Sequence, residues 1–515
     1  MFTVPPVPVL DAAQAAAWDA RAMSESNIPS RVLMDAAGRA VAQVMTHLLG
    51  GHVRRGVLVA AGPGNNGGDG WVVARALAAA GARVAVAEIA RDRSPDCEAN
   101  RDLAVATGVE SLDLGASWPA AGVVVDAVLG TGAMGAPRGD IAELAARVAA
   151  HAGPVVAVDG PTGLDLSTGE AHGPVRAALT VTFGGPRRGH LLAREWCGRL
   201  VVADIGFPTA DPAWPALITD RIAKRLLPAL HPDMHKGSRG RVLVIGGDDG
   251  MAGAALHACS AAFGAGVGLV KVAARPASVE AAQAQLPDAL SVTTALDATL
   301  EPALVESIAW ADAVVLGPGL GRQVERAAFV RQVLERSSVP VVLDADALHA
   351  GAEQILSGSA PRVFTPHIGE FQSAFPEVAR AAGGDRFAAA EGAAARVGHG
   401  AAVLLKGVPT VIAREGHPLW VVAAGNPGLA TGGSGDLLAG FVAAYLARGL
   451  ALHDAAALGA WTLGRAAEIA ASHHTARATR PADVLASLPE LWRALAEPPS
   501  IDPPVLVDLL PPALV

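Results

Sequence analysis

Cysteine is rare in this 515-residue chain, which contains only three, and the charge is only mildly unbalanced, with 40 Lys and Arg against 49 Asp and Glu. The cysteines are odd in number and too far apart for metal-ligand spacing. This argues against a zinc site or a disulfide framework and favours a reducing compartment. The net charge of -9 argues against a protein that coats nucleic acid or an anionic membrane.

Long apolar runs are also missing. A membrane helix needs ~20 consecutive apolar residues, whereas the most apolar helical stretch, 437–447, is followed at once by Arg448. The first residues, MFTVPPVPVLDAAQ, have neither the basic nor the apolar region of a secretory signal. We therefore expect a cytoplasmic protein with small-molecule ligands, no nucleic-acid partner and no membrane partner.

The abundant feature is an alternation of short apolar strands with alanine-rich helical segments, in a chain that is 51% hydrophobic. Near-continuous apolar strands joined by helices predict parallel sheets covered on both faces. The alternation is interrupted at 207–216, where three prolines fall within ten residues. We therefore predict two α/β domains, 1–212 and 217–495, followed by a proline-rich tail, 496–515, that is poorly ordered or lies on the surface.

A glycine-rich loop at 62–70, GPGNNGGDG, follows the first apolar strand and contains a G-x-G-x-x-G match, with Glu88 at the end of the next strand. This pattern is typical of dinucleotide-binding units, although a single match is weak. We predict that a helix begins at about residue 70, so that Asp69 lies at its N-terminus. There the carboxylate would repel a bound pyrophosphate, or it would simply cap the helix. The amides of Asn65 and Asn66 instead suit polar ligand groups or a hard cation.

Two further motifs, DAVLGTGAMG (126–135) and VDGPTGLD (158–165), also stand at the carboxyl ends of apolar strands. Open α/β sheets bind ligands at this edge, so Asp126 and Asp159 should face one crevice. Together with Thr162 and Asn66, these carboxylates can hold a monovalent cation or share acid–base chemistry.

Residues from about 10 to 209 resemble the epimerase domain that interconverts the R and S forms of NAD(P)H hydrate. The similarity rests on LMDAAGRA, GNNGGDG, VDAVLGTG, VDGPTGLD, LTVTFGGPRRG and VVADIGFP. It implies a Rossmann-like α/β/α sandwich, potassium at Asn66, Asp126 and Thr162, and a catalytic role for Asp159. It also implies hydrate contacts from Asp159 and from two loops: Asn65, Asn66, Gly67, Gly68, Asp69, Gly130, Thr131, Gly132, Ala133, Met134, Gly135 and Ala136.

This half departs from the family pattern at three places. Thr162 stands where serine is more frequent, and Gly160 stands where isoleucine is more frequent. Arg187 and Arg188 occupy a region where a lysine is usual. Threonine keeps the hydroxyl, so we expect cation binding to survive, whereas the arginines leave the counter-charge to the substrate open.

The second half contains GNPGLATGGSGDLLAG (425–440), with six glycines in sixteen residues. Glycine-rich backbone before a helix offers N–H groups to developing negative charge, and Asp436, predicted in the last turn before that helix, could take a proton from an attacking hydroxyl. A purely structural glycine turn is the alternative. His367 and Lys406 stand at the ends of other strands. His367 could contact a ligand or be purely structural, and Lys406 could neutralise a phosphate or simply be solvated.

Residues from about 217 to 493 resemble the ribokinase-like NAD(P)H-hydrate dehydratases, through HKGSRGRVLVIGG, GAGVGLVKV, LGPGLG, VLDADAL, TPHIGEF, LKG and TGGSGDLLAG in that order. The resemblance implies that Asp436 is the base and a hydrate contact, that ADP is the phosphoryl donor and that Mg²⁺ accompanies it. It implies a hydrate pocket at Ala254, Gly319 and His367. It implies ADP contacts at Lys406, Gly407, Val408, Pro409, Thr410 and Gly435. Met251 and the stretch 287–290 depart from the usual pattern.

Together the resemblances predict a bifunctional metabolite-repair enzyme that epimerises NADHX and NADPHX and dehydrates the S epimer with ADP, giving AMP and phosphate. We also expect a homo-oligomer. One alternative is a ribokinase-like kinase of a small alcohol or vitamin precursor, which releases a stable phosphorylated product. A second is a first domain that binds a ligand without catalysis.

Overall fold

The computed structural model describes residues 5–497 and 505–511. The chain divides into two compact units between Trp214 and Pro215, and residues 505–511 belong to the first unit. This division falls inside the proline-rich interruption at 207–216. In the part of the chain that the structure describes, no helix is both long enough and apolar enough to cross a membrane.

The first unit is a parallel sheet covered by helices. Its strands are β1 (Val7–Pro8), β2 (Val57–Ala61), β3 (Val84–Glu88), β4 (Glu110–Asp113), β5 (Val123–Ala127), β6 (Val155–Val158), β7 (Leu179–Phe183), β8 (Arg199–Ala203) and, from the C-terminal segment, β19 (Val505–Leu509). Its helices are α1 (Ala12–Ser24), α2 (Ser30–Val53), α3 (Asn65–Ala79), α4 (Pro95–Ala106), α5 (Asp140–Ala149), α6 (Arg188–Leu192) and α7 (Arg194–Cys197).

The strands of the large sheet in this unit follow the order β19-β8-β7-β6-β5-β2-β3-β4. All neighbours are parallel except β19 and β8. Alternate residues of β2 enter different apolar clusters: Val59 packs in the cluster of Trp71, and Leu58 packs in that of Leu144. The strand order reverses between β2 and β5, so a ligand crevice is expected at the carboxyl ends of those strands.

The proline-rich tail is more regular than predicted. Residues 505–509 form an antiparallel edge strand on β8, and Asp508 forms an ion pair with Arg199. The expectation was a tail that is poorly ordered or lies on the surface, and this segment is an ordered edge strand. An apolar edge strand such as β8 gains hydrogen bonds from any extended segment that can pair with it. The rest of the predicted tail, 498–504 and 512–515, lies outside the described residues.

The second unit is also α/β. Its strands are β9 (Ala216–Leu217), β10 (Arg241–Ile245), β11 (Leu269–Ala274), β12 (Leu290–Thr293), β13 (Ala313–Leu316), β14 (Val341–Leu343), β15 (Arg362–Phe364), β16 (Ala401–Leu405), β17 (Thr410–Ala413) and β18 (Trp420–Val422). Its α-helices are α8 (Asp220–Leu226), α9 (Ala252–Gly264), α10 (Pro276–Gln285), α11 (Pro302–Trp310), α12 (Glu325–Arg336), α13 (Ala352–Ile355), α14 (Ile368–Ala374), α15 (Pro376–Ala382), α16 (Arg386–Val397), α17 (Ser434–Ala447), α18 (Leu452–Ala478), α19 (Pro481–Ala486) and α20 (Leu488–Ala496). Two 3₁₀ turns, Ala345–Ala350 and Pro427–Leu429, complete it.

The sheet of the second unit follows the order β9-β18-β17-β16-β15-β14-β13-β10-β11-β12. Along this order, the neighbouring strands from β16 to β12 are parallel. Strands β16, β17 and β18 form an antiparallel meander. Val242 and Val244 face a core that contains Phe441 of α17 and Trp461 of α18. The order reverses between β10 and β13. The predicted fold class, two α/β domains built on parallel sheets, is confirmed.

Candidate active sites

Helix α3 begins one turn earlier than the sequence predicted. Its first residue is Asn65, its N-cap is Gly64 without a side-chain cap, and Asp69 is the fifth helical residue. The hypothesis that Asp69 caps this helix is therefore wrong, and so is a helix start near 70. Glu88 is 3% exposed and accepts hydrogen bonds from Arg93, Arg101 and Ser111, so its carboxylate is engaged within the fold rather than presented to a ribose.

The glycines of α3 allow it to sit tightly against the preceding loop. A Cβ atom at Gly67 would lie 1.8 Å from the carbonyl oxygen of Gly62, whereas nothing lies within 4 Å of a Cβ at Gly64. We expect Gly67→Ala to destabilise the first unit by about 1–3 kcal/mol, because backbone must move. Gly64→Ala should cost much less. Thermal unfolding of the two variants tests this, and equal melting temperatures would contradict the close approach.

Asp126 and Thr162 form a buried pair beneath the crevice. The Thr162 hydroxyl donates to Asp126 Oδ1 over 2.7 Å, the Thr162 amide donates to Oδ2 over 2.8 Å, and Asp126 is fully buried. Burial raises the pKa of Asp126 to about 6, against the opposing effect of these hydrogen bonds. A buried carboxylate has lost the water that would stabilise its charge, and a bound cation would stabilise that charge instead.

The side-chain amide of Asn66 lies beside the 130–136 loop and has no hydrogen-bond partner in the described part of the chain. Both Oδ1 and Nδ2 are buried and have no hydrogen-bond partner among the described residues. A Cβ atom at Gly130 would lie 3.3 Å from the Asn66 side-chain carbon and 2.9 Å from Asp159 Oδ2. The structure therefore brings the first, second and third strand-end motifs together, and Gly130 leaves open the space between an amide and a carboxylate.

The carboxylate of Asp159 is held by Thr131 of the 130–136 loop and by Arg187. Asp159 Oδ2 accepts from the amide and hydroxyl of Thr131 over 2.7 and 2.6 Å, and Oδ1 accepts from Thr182. The Arg187 guanidinium lies 3.6 Å from Oδ1 and also contacts the Thr131 hydroxyl. Burial opposes ionisation of Asp159, but Arg187 and Thr131 together hold its pKa below the usual range.

Asp69 has the opposite environment. Burial raises its pKa well above the usual range, and the negative charge of Asp159 raises it further. Two carboxyl groups whose pKa values are displaced in opposite directions suit an acid and a base in one site. The loop above them is open, with Met134 85% exposed.

In the second unit, Asp436 lies inside a helix rather than before it. Helix α17 begins at Ser434 after the left-handed residue Gly433, and Asp436 is its third residue. The prediction that Asp436 precedes the helix is therefore wrong by one turn. The first turn still presents backbone N–H groups that no helical carbonyl accepts.

A buried ion-pair network faces this first turn. Lys406 Nζ lies 2.8 Å from Asp344 Oδ1 and 3.4 Å from Glu370 Oε2, and Asp344 is 1% exposed. A Cβ atom at Gly435 would lie 3.4 Å from Lys406 Nζ. The ammonium is thus next to the glycine-rich turn. Burial opposes its charge, but the two carboxylates raise its pKa.

Asp436 is partly buried beside this network. Burial raises the pKa of Asp436 to about 7, and the negative charge of Asp344 adds to the shift while Lys406 opposes it. A carboxyl group with this pKa changes between acid and base near neutral pH, which suits proton transfer.

The charge of Asp344 should set the pH at which Asp436 becomes a base. The negative charge of Asp344 raises the pKa of Asp436. Asp344→Asn should therefore lower that pKa, and the acidic limb of kcat/KM, expected near pH 7, should move to lower pH. Asp312→Asn, which alters a surface pair with Arg241, should leave the limb in place. A pH–rate profile measures both, and an unmoved limb in Asp344→Asn would contradict the coupling.

The other predicted residues fall into three places. His367 caps helix α14, because its Nδ1 accepts from the amides of Gly369 and Glu370, and its side chain is 59% exposed. Ala254 and Gly319 meet across the switch between β10 and β13: a Cβ atom at Gly319 would lie 3.3 Å from the Ala254 Cβ. Residues 406–409 form the turn between β16 and β17, with Val408 66% exposed, and Thr410 is the first residue of β17.

The sequence did not single out Asp344 or Glu370, and it did not pair Arg187 with Asp159. Asp344 and Glu370 lie in motifs at the ends of β14 and β15, where their position at the carboxyl edge was the available signal. In the sequence, Arg187 stands out only as a departure from the family pattern, and no local pattern connects it with Asp159.

Comparisons with known proteins agree across both units. Residues 30–189 match the family described as YjeF-related protein N-terminus, and residues 242–490 match the family described as NAD(P)H-hydrate dehydratase. The bifunctional NAD(P)H-hydrate repair enzyme Nnr of Moorella thermoacetica is 38% identical over 95% of this chain and 97% of its own length. Its namesake from Escherichia coli is 36% identical over 84% of each chain.

A solved structure is similar to the second unit. It is an ADP/ATP-dependent NAD(P)H-hydrate dehydratase from Bacillus subtilis co-crystallised with ATP and Mg²⁺, 28% identical, with a TM-score of 0.48, covering 54% of this chain and 97% of that one. The identity and coverage of the bifunctional relatives confirm both resemblances stated from the motifs. The chain belongs to the family of bifunctional NAD(P)H-hydrate repair enzymes.

Proposed function

We propose that residues 1–212 interconvert the R and S epimers of NAD(P)H hydrate, and that residues 217–495 dehydrate the S epimer at the expense of ADP, giving AMP and phosphate. The observation that carries the proposal is the presence, in one chain, of two carboxylate sites at the carboxyl edges of two sheets. Asp159 is held ionised in one, and Asp436 is poised near neutrality in the other. We also infer that the enzyme works in the cytoplasm as a homo-oligomer.

In the dehydratase site, Asp436 takes the proton of the ring C6 hydroxyl as its oxygen attacks the β-phosphorus of ADP. The bond from phosphorus to the AMP oxygen breaks, and AMP leaves. Phosphate then departs from C6 as a proton is lost from the neighbouring ring carbon, which restores the dihydropyridine. Phosphate is a far better leaving group than hydroxide, and this is the physical reason for consuming a nucleotide.

The remaining proposed contacts follow from position. Residues 406–410 and Gly435 hold ADP, with the Lys406 ammonium and the free amides of α17 facing developing negative charge. Ala254, Gly319 and His367 line the hydrate pocket. Lys406 is paired with Asp344 and Glu370. We infer that its positive charge also reduces the repulsion between these two carboxylates and that of Asp436.

Magnesium would enter with the nucleotide. Among the described residues, no group of three or more His, Cys, Asp and Glu side chains is arranged to hold a metal by itself. That fits a cation bound mainly by phosphate oxygens with one or two carboxylates, as Mg²⁺ usually is. When bound, it would neutralise phosphate charge during transfer.

In the epimerase site, we propose potassium at Asn66, Asp126 and Thr162, and hydrate contacts from residues 65–69, the 130–136 loop and Asp159. The buried amide of Asn66 supports a cation, since its oxygen has no hydrogen-bond partner among the described residues. Replacing choline chloride by potassium chloride should raise the melting temperature of the wild type but not of Asn66→Ala. Asn65→Ala, which removes an exposed side chain bonded to Ser94, should keep the response. A response retained in Asn66→Ala would contradict the site.

Product analysis separates this function from the kinase alternative. Incubation of the S hydrate with ADP and Mg²⁺ should release AMP, phosphate and NADH in equal amounts, as measured by ³¹P NMR and chromatography. A stable phosphorylated hydrate or a phosphorylated small alcohol as the only product would instead identify a kinase.

A further inference from the structure

A second cation, Arg386, lies at the turn that is proposed to hold ADP. Arg386 is the first residue of α16, and its side chain reaches the end of β16. Its Nη1 donates to the carbonyl oxygen of Lys406 over 3.0 Å and to that of Leu405 over 3.4 Å. The guanidinium therefore contacts the backbone of Lys406, at the opposite end of that residue from the ammonium, which lies beside Asp344 and Gly435.

The guanidinium also occupies the position that a side chain at Gly407 would need. A Cβ atom at Gly407 would collide with Arg386, lying 2.6 Å from its Cζ. The glycine thus lets the arginine lie directly against the turn. Gly407 is itself exposed, so a ligand that contacts the turn at Gly407 comes within reach of the guanidinium.

The charge of Arg386 has no counter-charge in the described part of the chain. Its guanidinium forms no ion pair there, and its Nε and Nη2 donate to no acceptor. Neither nitrogen is among the unpaired atoms that are closed off from solvent. Burial lowers the pKa of Arg386 and no carboxylate raises it, whereas two carboxylates raise the pKa of Lys406. A partly buried cation with unused, accessible donors is stabilised when an anion pairs with it.

We propose that Arg386 binds the phosphate of AMP, which is the α-phosphate of ADP, through Nε and Nη2. The fork of a guanidinium matches two phosphate oxygens, which the ammonium of a lysine cannot do. The inference rests on the proposed dehydratase function, because residues 406–410 must hold ADP for Arg386 to reach it. Lys406 and the free amides of α17 then face the transferred β-phosphate, and Arg386 faces the phosphate that leaves with AMP.

Calorimetric titration of the full chain with AMP tests the proposal, with adenosine as the match that lacks a phosphate. Arg386→Met should weaken AMP binding about tenfold or more and leave adenosine binding unchanged, because only the phosphate contact is lost. Arg386→Gln loses the charge but can still donate to the carbonyl oxygen of Lys406, and it should weaken AMP binding to a similar extent. Arg396→Met removes an exposed arginine from the last turn of the same helix and should bind AMP as the wild type does.

Three results would overturn the role of Arg386 alone. They are unchanged AMP affinity in Arg386→Met, an equal loss in Arg396→Met, and equal losses of AMP and adenosine affinity, which would mean that Arg386 only shapes the turn. A wild type that binds neither AMP nor ADP would overturn the proposed nucleotide site as well. Melting temperatures show whether each variant is folded.

A crystal structure of the wild type grown with AMP decides if both Arg386 variants fail to fold. A phosphate oxygen within about 3 Å of Arg386 Nη2 would support the proposal. A phosphate bound without any contact to Arg386 would overturn it.

Discussion

Replacing Asp436 with asparagine is expected to lower kcat for dehydration of the S hydrate by about 10²- to 10⁴-fold, the usual contribution of a positioned general base. Asparagine matches the size of aspartate but cannot accept the hydroxyl proton. Epimerisation of the R hydrate without ADP should be unchanged, because it depends on the other unit. Single-epimer assays followed by chromatography measure both rates.

Asp454 provides the matched control for this variant. It is the third residue of α18, as Asp436 is of α17, and it accepts from Trp420 Nε1. Asp454→Asn keeps an acceptor oxygen and should leave dehydration within a fewfold of the wild type. Equal activity in Asp436→Asn and the wild type would remove Asp436 from the chemistry.

Replacing Asp159 with asparagine is expected to slow R–S interconversion by about 10²-fold or more while dehydration of pure S hydrate continues. The variant removes the charge that Arg187 and Thr131 hold in place. The epimer ratio over time, after subtraction of the spontaneous rate, is the measurement.

Asp165→Asn is the control in the same loop. Its carboxylate accepts from the amides of Ser167 and Thr168, and an amide oxygen can replace it there. We expect interconversion to persist in this variant. If Asp159→Asn epimerises as fast as Asp165→Asn, then the first unit works without Asp159, and the proposal that Asp159 is catalytic is wrong.

The sequence predicted the fold class because the physics behind it is local. Apolar strands that alternate with helices can bury both faces only as a covered parallel sheet, and glycine-rich motifs mark strand ends. Helix boundaries were less accessible. Three glycines between 67 and 70 argue against a helix, yet close packing favours one, since a Cβ at Gly70 would lie 2.6 Å from that of Ala127.

Interactions between distant positions were beyond the sequence. Lys406 and Asp344 are 62 residues apart, and Arg199 and Asp508 are 309 apart. No spacing rule connects such pairs, because their proximity follows from strand order. The motifs therefore predicted which loops lie at the carboxyl edges of the two sheets, whereas the counter-charges that set the pKa values of Asp159 and Asp436 required the structure.

One chain is expected to repair both epimers of NAD(P)H hydrate. The most direct measurement is the recovery of NADH absorbance when the wild-type protein acts on a mixture of R and S NADH hydrate with ADP, Mg²⁺ and potassium. Recovery of NADH from both epimers, faster than spontaneous epimerisation allows, is the predicted result. Recovery of the S fraction alone would contradict catalysis by the first unit, and no recovery would contradict the dehydratase as well.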